Sequence, residues 1–247
     1  MRALLLAAGL GTRLRPITDT TPKCLVEING RPLLDYWVEL LSNAGIRDIL
    51  INLHYLPEMV AAYVSSCTHP AKLTTVLEEK LLCTGGTLLK NREFFQQEPM
   101  MLIHSDNLSL FDARAFMERF YSRDGHIEIT MMTFHTDRPE ACGIVELDER
   151  GAVRAFHEKL KAPPGNLANA AVYILAPTVI EFIASLGKEV VDFSTEVLPH
   201  FVGRINTFHN DVYHRDIGTL ESLAFAQSEY PVAAARQHTN QHSFLSP

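Results

Sequence analysis

The stretch from Leu4 to Gly30, LLLAAGLGTRLRPITDTTPKCLVEING, constrains this chain more than any other. A continuous apolar run ends in Gly9-Leu10-Gly11-Thr12, and Arg13, Arg15 and Lys23 follow closely. A short apolar run bounded by glycine reads as a fully buried strand over residues 2–8. A buried strand that opens onto glycines and cations is suited to holding an anion. Backbone N–H groups can face the anion with no Cβ in the way, and side-chain cations complete the neutralisation.

Three kinds of glycine loop compete. A dinucleotide fingerprint, G-x-G-x-x-G, needs glycine where Leu14 stands and an acid at the end of a second strand; Asp48 precedes that strand instead. A P-loop needs G-K-[ST], which is absent. The third is a different phosphate cradle, in which Arg13 forks two phosphate oxygens and Lys23 places a point charge on another. A solvated basic loop is the plain alternative. The combination G-x-G-T-R-L-R-P followed by P-K weighs against it. Arg15 reads equally as a second phosphate ligand or a salt-bridge partner.

The rest of the first half alternates. Residues 32–44 predict an amphipathic helix with Pro32 in its first turn and Gly45 as its stop. Strands are expected at 48–54, 73–79, 100–106 and 127–136, and helices at 57–66 and 113–123. CTGGT (83–87) reads as a loop opening a short helix. Such alternation implies right-handed crossovers and a mostly parallel sheet covered on both faces. Ligands then bind beyond the carboxyl ends of the strands. Gly9–Arg13, Gly85-Gly86 and Asp106 all fall there. From about residue 143 the pattern shifts to a hairpin over 143–159, a strand at 168–177, short helices, two short strands and a closing helix at 219–228. The expected fold is three-layer αβα with a mostly parallel, Rossmann-like sheet and a small β-rich lid. One domain is expected over 1–228, with a loosely ordered tail over 229–247.

The 247 residues carry a net charge of −7, which gives no basic face for nucleic acid. No apolar run reaches transmembrane length. The cysteines, Cys24, Cys67, Cys83 and Cys142, show no C-x-x-C spacing, so neither a zinc site nor a disulfide framework is indicated. Free thiols and no signal peptide make a cytoplasmic location the expectation. Among the 11 histidines, His54, His104, His157, His209 and His214 form no i, i+4 pair and read as surface or packing residues.

LAAGLGTRLRPITDTTPKCLVEINGRPLLDY closely resembles the signature of the sugar nucleotidylyltransferases, which join a nucleoside triphosphate to a sugar 1-phosphate and release pyrophosphate. The resemblance runs to about residue 228 through LLCTGGTL, IHSDN, CGIVELDERGAVRAFHEK, ANAAVYIL and VYHRDIGTLESLAFA, in that order. Cys24, Cys83 and Leu160 depart from it, where the family more often has Pro, Gly and Pro.

The resemblance implies an enzyme whose partners are a nucleoside triphosphate and a sugar 1-phosphate, acting as a monomer or homodimer. Leu6, Ala7, Ala8, Gly9, Gly85 and Gly86 are expected to hold the nucleotide. Gly11, Thr12 and Arg13 are expected on the β- and γ-phosphates, and Lys23 on the α-phosphate. Lys159 is expected on the sugar phosphate, with Asn107, Gly143, Glu158 and Asn169 around the sugar. Asp106 and Asp216 are the expected Mg²⁺ ligands. The likeness is nearest to guanylyltransferases of the mannose- or heptose-1-phosphate type. UTP- or dTTP-dependent transfer, a phosphocholine-type cytidylyltransferase and a non-catalytic nucleotide-sugar sensor are the alternatives.

Overall fold

The computed structural model describes residues 1–243. Its strands are β1 (Arg2–Leu6), β2 (Glu27–Ile28), β3 (Arg31–Pro32), β4 (Asp48–Leu53), β5 (Lys72–Leu77), β6 (Met100–His104), β7 (Asn107–Leu110), β8 (Ile129–His135), β9 (Gly143–Leu147), β10 (Val153–Glu158), β11 (Leu167–Leu175), β12 (Ile205–His209) and β13 (Tyr213–Asp216). The helices are α1 (Leu33–Asn43), α2 (Pro57–Ser66), α3 (Cys83–Lys90), α4 (Ala113–Tyr121), α5 (Pro177–Ser185), α6 (Leu198–Phe201) and α7 (Leu220–Ser243).

Nine strands form one sheet in the order β10-β9-β11-β6-β1-β4-β5, with β8 also paired to β11 and β12 to β8. The β6-β1-β4-β5 block is parallel throughout. Strand β11 runs antiparallel to β6, β8 and β9, and so joins that block to the second half of the chain. Its pairing with β8 changes register between Asn169 and Tyr173, where Ala171 has φ 55°. A bulge of this kind bends a strand and increases its twist. The residues before it meet the β9–β10 hairpin, with Ala168 opposite Ile144.

Side-chain alternation along the central strands sorts the core into two layers. Ala3, Leu5, Ile49, Ile51, Met101 and Ile103 pack on the side of Trp37, Val60, Phe116 and Phe120, from α1, α2 and α4. Leu4, Leu50, Met100 and Leu102 pack on the opposite side, with Leu88, Ile183 and Phe201 from α3, α5 and α6. The runs that read as continuously apolar are therefore buried on both faces, as a parallel sheet between helix layers requires. Gly45, at φ 95°, stops α1 where the sequence predicts, and its N–H donates to the Ser42 carbonyl at 3.1 Å.

Two elements differ from the sequence reading. CTGGT is the first turn and a half of α3, not a loop. The Gly85 and Gly86 N–H groups both donate to the Val191 carbonyl, at 2.9 and 3.2 Å. A Cβ on Gly86 would lie 2.3 Å from the Glu189 carbonyl oxygen, so glycine here permits a close approach of two backbones. Gly86→Ala is expected to cost about 1–3 kcal/mol through overpacking, read as a lower urea midpoint with an unchanged slope. The other difference is α7, which continues to Ser243 where a loose tail was expected from 229. Tyr230 anchors it edge-on against Tyr36 and Tyr213, with ring centroids 4.9 and 5.8 Å away. Ala233–Ala235 are strong helix formers. Residues 244–247 lie outside the described residues. Among the described residues no helix is long and apolar enough to cross a membrane.

Candidate active site

The carboxyl ends of β1, β4, β5 and β6 open on a cleft of about 220 Å³ lined by Leu6–Gly9, Asn52, Glu78, Thr84, Thr87 and His104–Asp106, among others. Its floor is a polar relay. The Ala7 N–H donates to Asn52 Oδ1 at 2.7 Å, and Asn52 Nδ2 donates to Glu78 Oε1 at 3.3 Å. Glu78 is 1% exposed, and its Oε2 has no hydrogen-bond partner. A buried carboxylate oxygen left unpaired is costly, and Glu78 is among the residues that line the cleft.

Beside the floor lies a centre of two acids and a lysine. Lys23 Nζ is 2.7 Å from Asp106 Oδ2 and 3.6 Å from Asp216 Oδ1. The two acids are distant in sequence. The β7–β13 ribbon brings them together by setting Asp216 opposite Asn107, and the Ile217 N–H donates to the Asp106 carbonyl at 3.0 Å. Lys23 is only 6% exposed, an acceptable burial for a cation because both carboxylates face it. Lost hydration raises the Asp106 carboxyl, but Lys23 and His104 outweigh this and hold it below the usual range. At Asp216 the balance reverses. Lost hydration and the nearby Asp106 charge raise it above the usual range despite Lys23 and Arg13. One lysine therefore does not satisfy both acids. A Cβ on Gly218 would lie 2.4 Å from Asp216 Oδ2 and 3.0 Å from an Arg13 guanidinium nitrogen, so this glycine lets Arg13 approach Asp216.

On the second half of the sheet, Gly143 pairs with Glu158 across the β9–β10 hairpin. A Cβ on Gly143 would lie 2.8 Å from Glu158 Oε2, so the carboxylate rests against bare backbone. Lys159 follows at φ 49°, with Nζ 3.3 Å from Glu158 Oε1, and is largely exposed.

A family model described as nucleotidyl transferase matches residues 2–232. This chain belongs to the nucleotidyl transferase family. The mannose-1-phosphate guanyltransferase of Pichia angusta is 29% identical over 248 residues, covering 97% of this chain and 67% of that protein. Mannose-1-phosphate guanylyltransferase 1 of Arabidopsis thaliana is 32% identical over 189 residues, covering 74% of this chain and 52% of that protein. The chain thus spans between half and two thirds of the length of these relatives. A Bacillus anthracis structure described as a glucose-1-phosphate thymidylyltransferase superposes with TM-score 0.84 at 23% identity, covering 92% of this chain and 94% of that one. HddC from Yersinia pseudotuberculosis, complexed with GMP-PN, superposes with TM-score 0.78 at 25% identity, covering 93% and 99%.

Within this nucleotidyl transferase fold, the residues named from sequence divide. Leu6, Ala7, Ala8, Gly9, Lys23 and Asp106 line the cleft. Gly85 and Gly86 do not, because they face the 189–191 backbone; Cys83, Thr84 and Thr87 of the same helix reach the cleft instead. Cys83 sits at φ 59°, which accounts for glycine being the commoner residue at this position in the resemblance. Gly11, at φ 63°, and Thr12 form the turn after β1, where the Gly11 carbonyl accepts from Thr18 Oγ1 at 2.7 Å. Arg15 pairs with Asp19 at 3.1 Å on the surface, the salt-bridge reading.

Asn107 is 3% exposed and donates from Nδ2 to the Ala170 carbonyl at 3.2 Å, tying β7 to β11. Asn169 donates to the Tyr173 hydroxyl at 2.6 Å and accepts from the Ala171 N–H at 3.0 Å, so it braces the bulge. Sequence reasoning missed Asn52, Glu78 and His104. Only the positions of Asn52 and Glu78 at the ends of neighbouring strands could have signalled the first two. Lost hydration holds the His104 imidazole below its usual range, and it faces Asp106 rather than serving only as packing.

Proposed function

We propose that this chain transfers a guanylyl group from GTP to a sugar 1-phosphate of the mannose or heptose type, releasing pyrophosphate. The observation that carries the choice of base is the unpaired Glu78 oxygen in the cleft floor. Guanine presents two adjacent donors, N1–H and the 2-amino group, to which a carboxylate is complementary. Uracil and thymine present one donor between two carbonyl oxygens, which a carboxylate repels. The curated relatives are named as mannose-1-phosphate guanylyltransferases, and the Yersinia structure holds a guanine nucleotide analogue; both support this reading.

The chemistry is attack by a sugar-phosphate oxygen on the α-phosphorus of the triphosphate. Both reactants are anions, so positioning and charge neutralisation supply the catalysis, with no covalent intermediate required. In this reading Lys23 leaves its two carboxylates for the α-phosphate, where charge grows in the transition state. Arg13 and the Gly11–Thr12 turn steady the departing pyrophosphate, and Lys159, free to swing on an exposed stem, receives the sugar phosphate. Gly9 supports a close approach of ligand to backbone, since a Cβ there would meet no protein atom. The oxygen-only donor pair Asp106 and Asp216, with Asp216 under-compensated by Lys23, fits Mg²⁺. When bound, that ion would neutralise phosphate charge.

Two measurements bear on this. The first is pyrophosphate release across GTP, UTP, dTTP, CTP and ATP against mannose-, heptose-, glucose-, N-acetylglucosamine- and N-acetylmuramic acid 1-phosphates. GTP with mannose- or heptose-1-phosphate is the expected active pair. Silence across the grid with nucleotide still bound would favour a phosphocholine-type acceptor or a sensor. The second is Gly143→Ala, whose Cβ would crowd both the Phe156 ring, at 2.7 Å, and Glu158 Oε2, at 2.8 Å. It is expected to raise KM for the sugar phosphate several-fold with a smaller change in kcat, because it disturbs ground-state binding more than the reacting phosphates.

A further inference from the structure

Asp35 of α1, Cys67 at the end of α2 and His69 two residues beyond it bring a carboxylate oxygen, a thiol sulfur and an imidazole nitrogen within 4.8 Å of one another. None of the three lines the catalytic cleft. Their spacing in sequence matches no zinc signature, so the cluster is a product of the α1–α2 packing. We propose that Asp35, Cys67 and His69 form a second metal site, one that binds a zinc-class divalent ion through one oxygen, one sulfur and one nitrogen.

The donor set selects the ion. Thiolate with imidazole suits Zn²⁺, whereas Mg²⁺ and Ca²⁺ take oxygen ligands. His69 Nε2 already lies 3.0 Å from Asp35 Oδ1, close to the separation of two ligands on one tetrahedral ion. The side chains of Asp35 and His69 are 20% and 22% exposed, so a fourth position can remain open to water.

The surroundings hold the carboxylate as an outer shell does. The Arg31 guanidinium donates to Asp35 Oδ2 and the Tyr63 hydroxyl donates to Oδ1 at 2.6 Å. Arg31 is itself held by Glu39 at 2.7 Å. Charge also balances. The dication meets one carboxylate and one thiolate, and Arg31 is matched by Glu39. Binding releases the Cys67 thiol proton to solvent, and the metal–sulfur bond takes its place.

Cobalt(II) titration of the full-length chain, stripped of metal with a chelator, tests the site. The expected result is a near-ultraviolet thiolate-to-cobalt charge-transfer band that saturates at one equivalent and is bleached by Zn²⁺. Cys67→Ser should abolish the band and Cys83→Ser should keep it. His69→Ala should weaken binding by about 10-fold or more. Asp106 and Asp216 offer only oxygen, and the cysteines that line the cleft, Cys24 and Cys83, are separated from this signal by its loss in Cys67→Ser and its survival in Cys83→Ser. Cobalt bound without the band, or a band that survives Cys67→Ser, overturns the proposal. A circular dichroism spectrum like that of the parent chain keeps both variants interpretable. Should Cys67→Ser not fold, unchanged affinity in His69→Ala is the overturning result.

Discussion

Replacing Lys23 with alanine is expected to slow pyrophosphate release by about 10²–10³-fold, with a much smaller change in GTP affinity. The reason lies in where this cation sits. It is nearly buried, held between Asp106 and Asp216, and reaches the end of β6 where the cleft opens. Most of the nucleotide contact surface belongs to other residues, from Leu6–Gly9 to the Asn52–Glu78 floor. Binding therefore survives the loss of Lys23, while the charge that grows at the α-phosphate loses its counter-charge.

Asp216→Asn is the companion test. It removes a carboxylate already raised above its usual range by lost hydration and by Asp106, and leaves the β7–β13 pairing in place. Turnover should collapse with nucleotide binding again retained. Single-turnover kinetics beside calorimetric titration of GTP separate the two effects. Near-normal turnover in both variants would sink the mechanism.

The parallel half of the fold was readable because burial on both faces leaves a direct signature. Continuous apolar runs at Leu4–Leu6, Ile49–Ile51 and Met100–Ile103 have no polar alternation to confuse them. The meeting of Asp106 with Asp216 was not readable from local pattern. It depends on a short antiparallel ribbon between β7 and β13, a long-range pairing that came to the sequence reading only through resemblance. Gly85 and Gly86 were placed by a local pattern that the packing does not share. Their presence after a strand looked like a ligand-facing loop, but the glycines serve contact between α3 and the 189–191 backbone. The Asp35–Cys67–His69 cluster was invisible for a similar reason, since packing of α1 against α2 and the residues after it creates the proximity.

Glu78→Gln is expected to change which base the enzyme accepts more than how fast it works on its best substrate. In the parent chain the free carboxylate oxygen should read the guanine 2-amino group. Inosine triphosphate, which lacks that group, should lose about 1.5–3 kcal/mol, or roughly 10–100-fold in kcat/KM relative to GTP. Glutamine keeps a carbonyl that can accept from Asn52 Nδ2, so the floor of the cleft keeps its shape. Its amide nitrogen, however, turns a donor towards guanine's donors, and matches a carbonyl oxygen of uracil instead. The GTP preference over inosine triphosphate should narrow, and UTP should gain relative to GTP. Stability should change little, so a ratio of kcat/KM values at one pH is the proper readout. An unchanged GTP-to-inosine triphosphate ratio would mean that Glu78 does not read the base, and the guanine assignment would lose the observation that carries it. A ratio that collapses while mannose-1-phosphate KM holds steady would place base selection in the β4–β5 floor and separate it from sugar selection on the β9–β10 hairpin.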